Sequence, residues 1–102
     1  MELSREHTCI RALAWRTDLP DFVEWEGLAG ELVKDGYQRE RSMTGLIRLI
    51  GRSREELFLV PSTGRVQIRV HYSTEEDQRK HAAEGIFRTL VHALQRLKVI
   101  KP

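Results

Sequence analysis

Cysteine is almost absent from this chain: Cys9 stands alone. An internal disulfide is therefore excluded, and a lone thiol suits a reducing compartment, so the expected location is the cytoplasm. Proline is scarce as well, with three in 102 residues, and no Pro- or Gly-rich stretch marks a linker. Long hydrophobic runs are missing too. Nothing approaches the roughly 20 apolar residues that span a bilayer, so no membrane association is expected. The opening residues Met1-Glu2-Leu3-Ser4-Arg5-Glu6-His7 are charged and carry no apolar core of a leader, which argues against a signal peptide. Catalytic signatures are also lacking: there is no Gly-x-Ser-x-Gly, no His-Glu-x-x-His and no phosphate-binding glycine loop. Neither an enzyme nor a cofactor is expected. His7 and Cys9 would share one strand face, but no second ligand pair follows at a familiar spacing, so no metal site is expected.

What is present suffices for one core and one soluble surface. Hydrophobic residues make up 40% and charged residues 31% of the chain, which rules out wholesale disorder. At this length there is no room for two cores, and residues 1–102 are read as a single domain. The net charge of +2 hides a segregation of sign. From Asp18 to Asp35 six acids stand against Lys34, a net of −5, whereas from Gly36 to Tyr72 seven arginines stand against three acids, a net of +4. Arginine outnumbers lysine thirteen to four. Its planar fork suits bidentate contacts to phosphate or carboxylate.

Periodicity divides the chain into six elements. His7–Trp15 reads as a strand with Cys9, Arg11, Leu13 and Trp15 on one face. A helix is expected over Leu19–Asp35, with Asp18 as N-cap, Pro20 in the first turn and Gly36 as the terminating residue. Its apolar stripe is Phe22, Trp25, Leu28, Ala29, Leu32 and Val33, interrupted by Gly27 and Gly30. Strands follow at Gly45–Ile50, Glu56–Val60 and Arg65–Tyr72, separated by Gly51–Arg54 and Pro61–Gly64 turns. A final helix begins at Ser73-Thr74-Glu75-Glu76-Asp77, with Thr74 as N-cap, and carries the stripe Ala83, Ile86, Phe87, Leu90, Val91, Leu94 and Leu97. The order is β-α-β-β-β-α. This is an α+β fold, an antiparallel sheet with two helices packed on one face, because a single sheet cannot bury itself.

The last strand has the cleanest alternation. Val66, Ile68, Val70 and Tyr72 face one way; Arg65, Gln67, Arg69 and His71 face the other. That second stripe is a row of donors for phosphate or base edges, to which neighbouring strands would add Arg48 and Arg11. It is also what any half-buried strand shows to water. The two strands before it are apolar on both faces: Leu46, Ile47, Leu49 and Ile50, then Leu57, Phe58, Leu59 and Val60. Apolar surface of that kind calls for a partner, and a second copy of the chain is the commonest one. A homodimer is expected.

Several segments resemble one repeat of the TATA-binding protein family. They are Thr44-Gly45-Leu46-Ile47-Arg48, Leu57-Phe58-Leu59-Val60, the Ser62-Thr63-Gly64-Arg65-Val66 hairpin, and Ser73-Thr74-Glu75-Glu76-Asp77 leading into the long helix. The resemblance implies a β-α-β-β-β-α half whose sheet rests on DNA with its helices behind. It also implies that a single repeat must dimerise to build the full saddle. The family's wedging phenylalanine pairs are not kept: Met43 and Val60 stand at those positions.

The expected function is therefore a non-enzymatic domain that binds nucleic acid, DNA first, through the open basic sheet face. Arg65, Gln67, Arg69 and His71 make the contacts, supported by Arg48 and Arg11. The alternative is a protein–protein adaptor that docks its partner on the same sheet face or on the acidic first helix.

Overall fold

A computed structural model describes residues 1–6, 13–70 and 76–100 of the chain. Strands β1 (Ser4–Glu6), β2 (Leu13–Asp18), β3 (Gln38–Glu40), β4 (Ile47–Ile50), β5 (Glu56–Val60) and β6 (Arg65–Val70) form one antiparallel sheet in the order β1-β2-β6-β5-β4-β3. Two helices, α1 (Trp25–Lys34) and α2 (Glu76–Arg96), lie on one side of it. The α+β architecture read from the sequence is the one observed. Two short edge strands, β1 and β3, are added to it.

The core lies between that sheet face and the helices. Leu49, Leu57, Leu59, Val66, Ile68 and Val70 are fully buried and meet Leu28 and Leu32 of α1 and Ala83, Leu90, Ala93 and Leu94 of α2. Every one of these strand residues sits on the same side of the pleat, and their chain neighbours point away from the helices. Of the expected α2 stripe, Ala83, Ile86, Leu90 and Leu94 are buried; Phe87 and Leu97 pack at its margin. The expected Thr74 cap, Cys9 and the beginning of the first strand fall outside the described residues.

The first helix starts later than its local signals suggest. Asp18 is not its N-cap but the last residue of β2, opposite Arg65 in the ladder. β2 pairs with β6 over its full length, from Leu13↔Val70 to Asp18↔Arg65. A long ladder of this kind outweighs the single capping bond that Asp18 would make at a helix end. Pro20 and Asp21 then belong to a turn, and Phe22, expected in the apolar stripe, is 71% exposed. Glu24 caps α1 instead, its carboxylate accepting from the backbone N–H of Glu26 at 3.2 Å and of Gly27 at 2.5 Å. The other end is as expected. Gly36, at φ +108°, follows the C-cap Asp35. Its N–H bonds the Val33 carbonyl, and the Tyr37 N–H bonds that of Leu32, both at 3.1 Å. This pair of bonds is a Schellman stop, which needs glycine for its left-handed residue.

The two helical glycines differ. A Cβ on Gly27 would meet the capping Glu24 carboxylate at 2.6 Å, whereas nothing lies within 4 Å of one on Gly30. Gly30 therefore marks no close approach of helix and sheet. Replacing Gly30 by alanine is expected to raise stability by about 1 kcal/mol, the helix-propensity difference at an exposed site. Urea unfolding of the variant checks this; a loss of stability would show that the site is occluded.

Candidate nucleic-acid interface

The side of the sheet turned away from the helices is built row by row from the register. Arg16, Gln67, Phe58, Arg48 and Glu40 form one row across β2, β6, β5, β4 and β3. The row beside it holds Ala14, Arg69, Glu56, Ile50 and Gln38. On the other side, Asp18, Arg65 and Val60 continue the face. Residues directly opposite each other in an antiparallel pair share a face, so these side chains stand together.

Four of the expected contact residues, Arg48, Arg65, Gln67 and Arg69, are thus brought onto one surface. Arg65 and Arg69 are exposed, and Gln67 and Arg48 are half-buried between their neighbours. His71 and Arg11 lie outside the described residues. Two members of the face were not singled out from the sequence. Arg16 lies just beyond the strand expected over His7–Trp15, yet the alternation of Trp15 and Thr17 against Ala14, Arg16 and Asp18 places it beside Gln67. Phe58 lies in a run, Leu57-Phe58-Leu59-Val60, whose sequence is apolar on both faces. The flanking Leu57 and Leu59 are fully buried, which leaves Phe58 on the open side.

Phe58 is the centre of the arrangement. The Arg69 guanidinium carbon lies 4.8 Å from its ring centroid and that of Arg48 lies 6.0 Å away, both within cation–π range. Arg69 also donates from Nε to Gln67 Oε1 at 3.1 Å. Arg48 Nε pairs with Glu56 Oε2 at 3.0 Å, and Arg65 Nε pairs with Asp18 Oδ1 at 3.0 Å. Each ion pair is made through Nε, so neither consumes the two terminal nitrogens of its guanidinium. The carboxylates orient the arginines without using up the fork that recognises phosphate. An open concavity of about 430 Å³ lies next to this cluster, lined by Arg48, Ile50, Arg54 and Glu56.

The acidic first helix is a different kind of surface from the one its composition suggests. Glu26 receives a bidentate contact from Arg39 at 2.5 and 3.1 Å. Glu31 accepts from Lys34 and from Arg96, each at 2.9 Å, and Asp35 accepts from Arg96 at 2.6 Å. These bonds hold the Glu26 and Glu31 carboxyls below their ordinary range, Arg39 acting on the first and Lys34 and then Arg96 on the second. With Asp18 on Arg65 and Glu24 on the helix cap, five of the six acids of that segment serve contacts within the chain.

A larger groove, about 830 Å³, lies between the start of α1 and the segment joining β3 to β4, lined by Val23, Trp25, Met43 and Ile47 among others. It holds none of the expected contact residues. Among the described residues, no three His, Cys, Asp or Glu side chains converge to hold a metal ion. No helix among them is long and apolar enough to cross a membrane. No family model, no curated protein and no solved structure matches this chain, so the geometry of the open sheet face alone carries its functional reading.

Proposed function

We propose that this domain binds nucleic acid, DNA in the first instance, through the open face of its sheet, as a homodimer in the cytoplasm and without catalysing a reaction. The observation that carries the reading is the grouping of Arg16, Arg48, Arg65, Arg69 and Gln67 around Phe58 on the face turned away from α1 and α2. Guanidinium groups positioned by single Nε contacts suit a polyanion, and phosphate contacts supply most of the affinity of such surfaces. The resemblance to one TATA-binding-protein repeat belongs to the same proposal, as a sheet that rests on DNA with its helices behind. Met43 and Val60 in place of the wedging phenylalanines make it a binder that does not kink its ligand. Dimerisation would double the number of phosphate contacts. Half-buried Leu46 and exposed Met43, just before β4, provide apolar surface for it.

The adaptor reading is less well supported. Its acidic helix spends its charge on Arg39, Lys34 and Arg96.

Fluorescence anisotropy with a labelled DNA oligonucleotide, offered as a single strand and as a duplex, tests the proposal at about 50 mM and about 200 mM salt. Four arginine contacts per protomer predict a slope of log K against log salt of about −3 for each protomer engaged, or about −6 for the dimer. Arg65→Ala/Arg69→Ala is expected to weaken binding at least about tenfold at the lower salt and to flatten the slope by about 1.5 for each protomer engaged. Absence of binding to both forms at low salt, or unchanged affinity in the double variant, rejects it.

A further inference from the structure

Resting on that reading, we infer that the ligand of this face is single-stranded nucleic acid and that one of its bases stacks on Phe58. β5 is an interior strand, with β4 and β6 on either side, and Phe58 is the only aromatic among the described residues of the open face. A duplex keeps its bases stacked on one another and shows a flat protein surface its phosphates and groove edges. It has no use for an aromatic ring in the middle of that surface unless the ring is driven in as a wedge. An unpaired base, by contrast, has a free π-face, and an aromatic ring on an open sheet is where such bases stack.

The surroundings of the ring fit this occupant. Arg69 already lies over Phe58 at 4.8 Å and is tied down by a neutral acceptor, Gln67 Oε1. The acid opposite it in the ladder, Glu56, pairs instead with Arg48. Among the described residues, then, no carboxylate forms an ion pair with Arg69. An exposed cation–π contact is weaker than a base–aromatic stack, so a base displaces the guanidinium from the ring. The guanidinium stays within reach of the same nucleotide as a donor to phosphate or to a base edge.

Arg16, Gln67, Phe58 and Arg48 stand in one cross-strand row. Three strand spacings make that row about 14 Å long. A strand laid along it meets a cation at each end and the ring between them. The concavity beside Arg48, bordered by Ile50 and Arg54, accommodates the neighbouring base or sugar.

The test compares a labelled single strand of about 12 nucleotides with the duplex of the same sequence at about 50 mM salt. The intact protein is expected to bind the single strand at least about tenfold more tightly. Phe58→Ala is expected to lower single-strand affinity about tenfold and to leave duplex affinity within about twofold. Phe58→Leu keeps apolar volume without a π-face and is expected to show the same loss. Phe58→Trp is expected to restore binding and to report the stack through quenching of its fluorescence. The leucine variant keeps the test decisive if the alanine variant fails to fold. The inference is overturned if the duplex binds as tightly as the single strand, or if Phe58→Leu binds normally while Arg65→Ala/Arg69→Ala does not. That second pattern leaves the arginine-face reading standing. Loss of all binding at low salt removes both.

Discussion

Replacing Leu59 by alanine is expected to cost about 3–4 kcal/mol, a large part of the roughly 5–15 kcal/mol that holds a domain of this size together. Leu59 is fully buried and lies in the middle of the sheet, with Ile47 opposite it on β4 and Val66 opposite it on β6. All three point into the layer that Leu28, Leu32, Leu90 and Leu94 fill from the helices. Removing most of the side chain forfeits its transfer free energy and leaves a cavity. The flanking strands cannot close it, because their spacing is fixed by the ladder on both sides. Val60, one residue on, belongs to the open face and is only half-buried. Val60→Ala is therefore expected to cost about 1 kcal/mol or less. Urea unfolding of the two variants reads the difference as a shift in midpoint at constant slope. A larger loss at Val60 than at Leu59 would mean that β5 presents the opposite face to the helices, which would also move Phe58 off the open surface.

That dependence on one residue of register explains why part of this architecture is legible in the sequence and part is not. Arg65–Val70 is legible because polar and β-branched residues alternate without a break. Val66, Ile68 and Val70 are buried, and Arg65 and Arg69 are exposed. The stop at Gly36 is legible because a left-handed residue after a helix selects glycine on local grounds. β5 is not legible in the same way. Leu57, Phe58, Leu59 and Val60 satisfy either face, and only the pairing with Gln67 and Arg48 assigns Phe58 to the open side. The start of α1 fails for a related reason. Asp18 before Pro20 is a good local cap, but a ladder with residues some fifty positions away in the chain claims it for β2. β1 and β3, three polar residues each, are too short to carry any period. They form where β2 and β4 leave an edge to pair with. For the candidate interface the same division holds. Its arginines on β6 are a local pattern, whereas Arg16 joins them only through long-range pairing, and the ring at their centre is a consequence of register.

Tyr37 gives the fold a pH dependence that a single methodical substitution isolates. The Schellman stop turns the chain at Gly36 and delivers Tyr37 into the core next to Leu32, leaving it only 8% exposed. Burial pushes its phenol well above the ordinary value of 10, and the carboxylates of Glu55 and then Asp35 push it further in the same direction. The raised value fixes the sign. Below about pH 10 the phenol is protonated in both the folded and the unfolded chain and stability is unaffected. Above it the unfolded chain releases a proton that the folded chain retains, so stability falls by up to about 1.4 kcal/mol per pH unit. Tyr37→Phe removes that proton and leaves every other ionisable group common to both proteins. The difference in unfolding free energy between wild type and variant is therefore expected to be flat up to about pH 9.5. It should then shift in favour of the variant, reaching about 2 kcal/mol by pH 11.5. Urea midpoints measured across that range test it. A difference that stays flat to the end would show Tyr37 titrating like a phenol in water. The turn at Gly36 would then not be carrying its ring into the core.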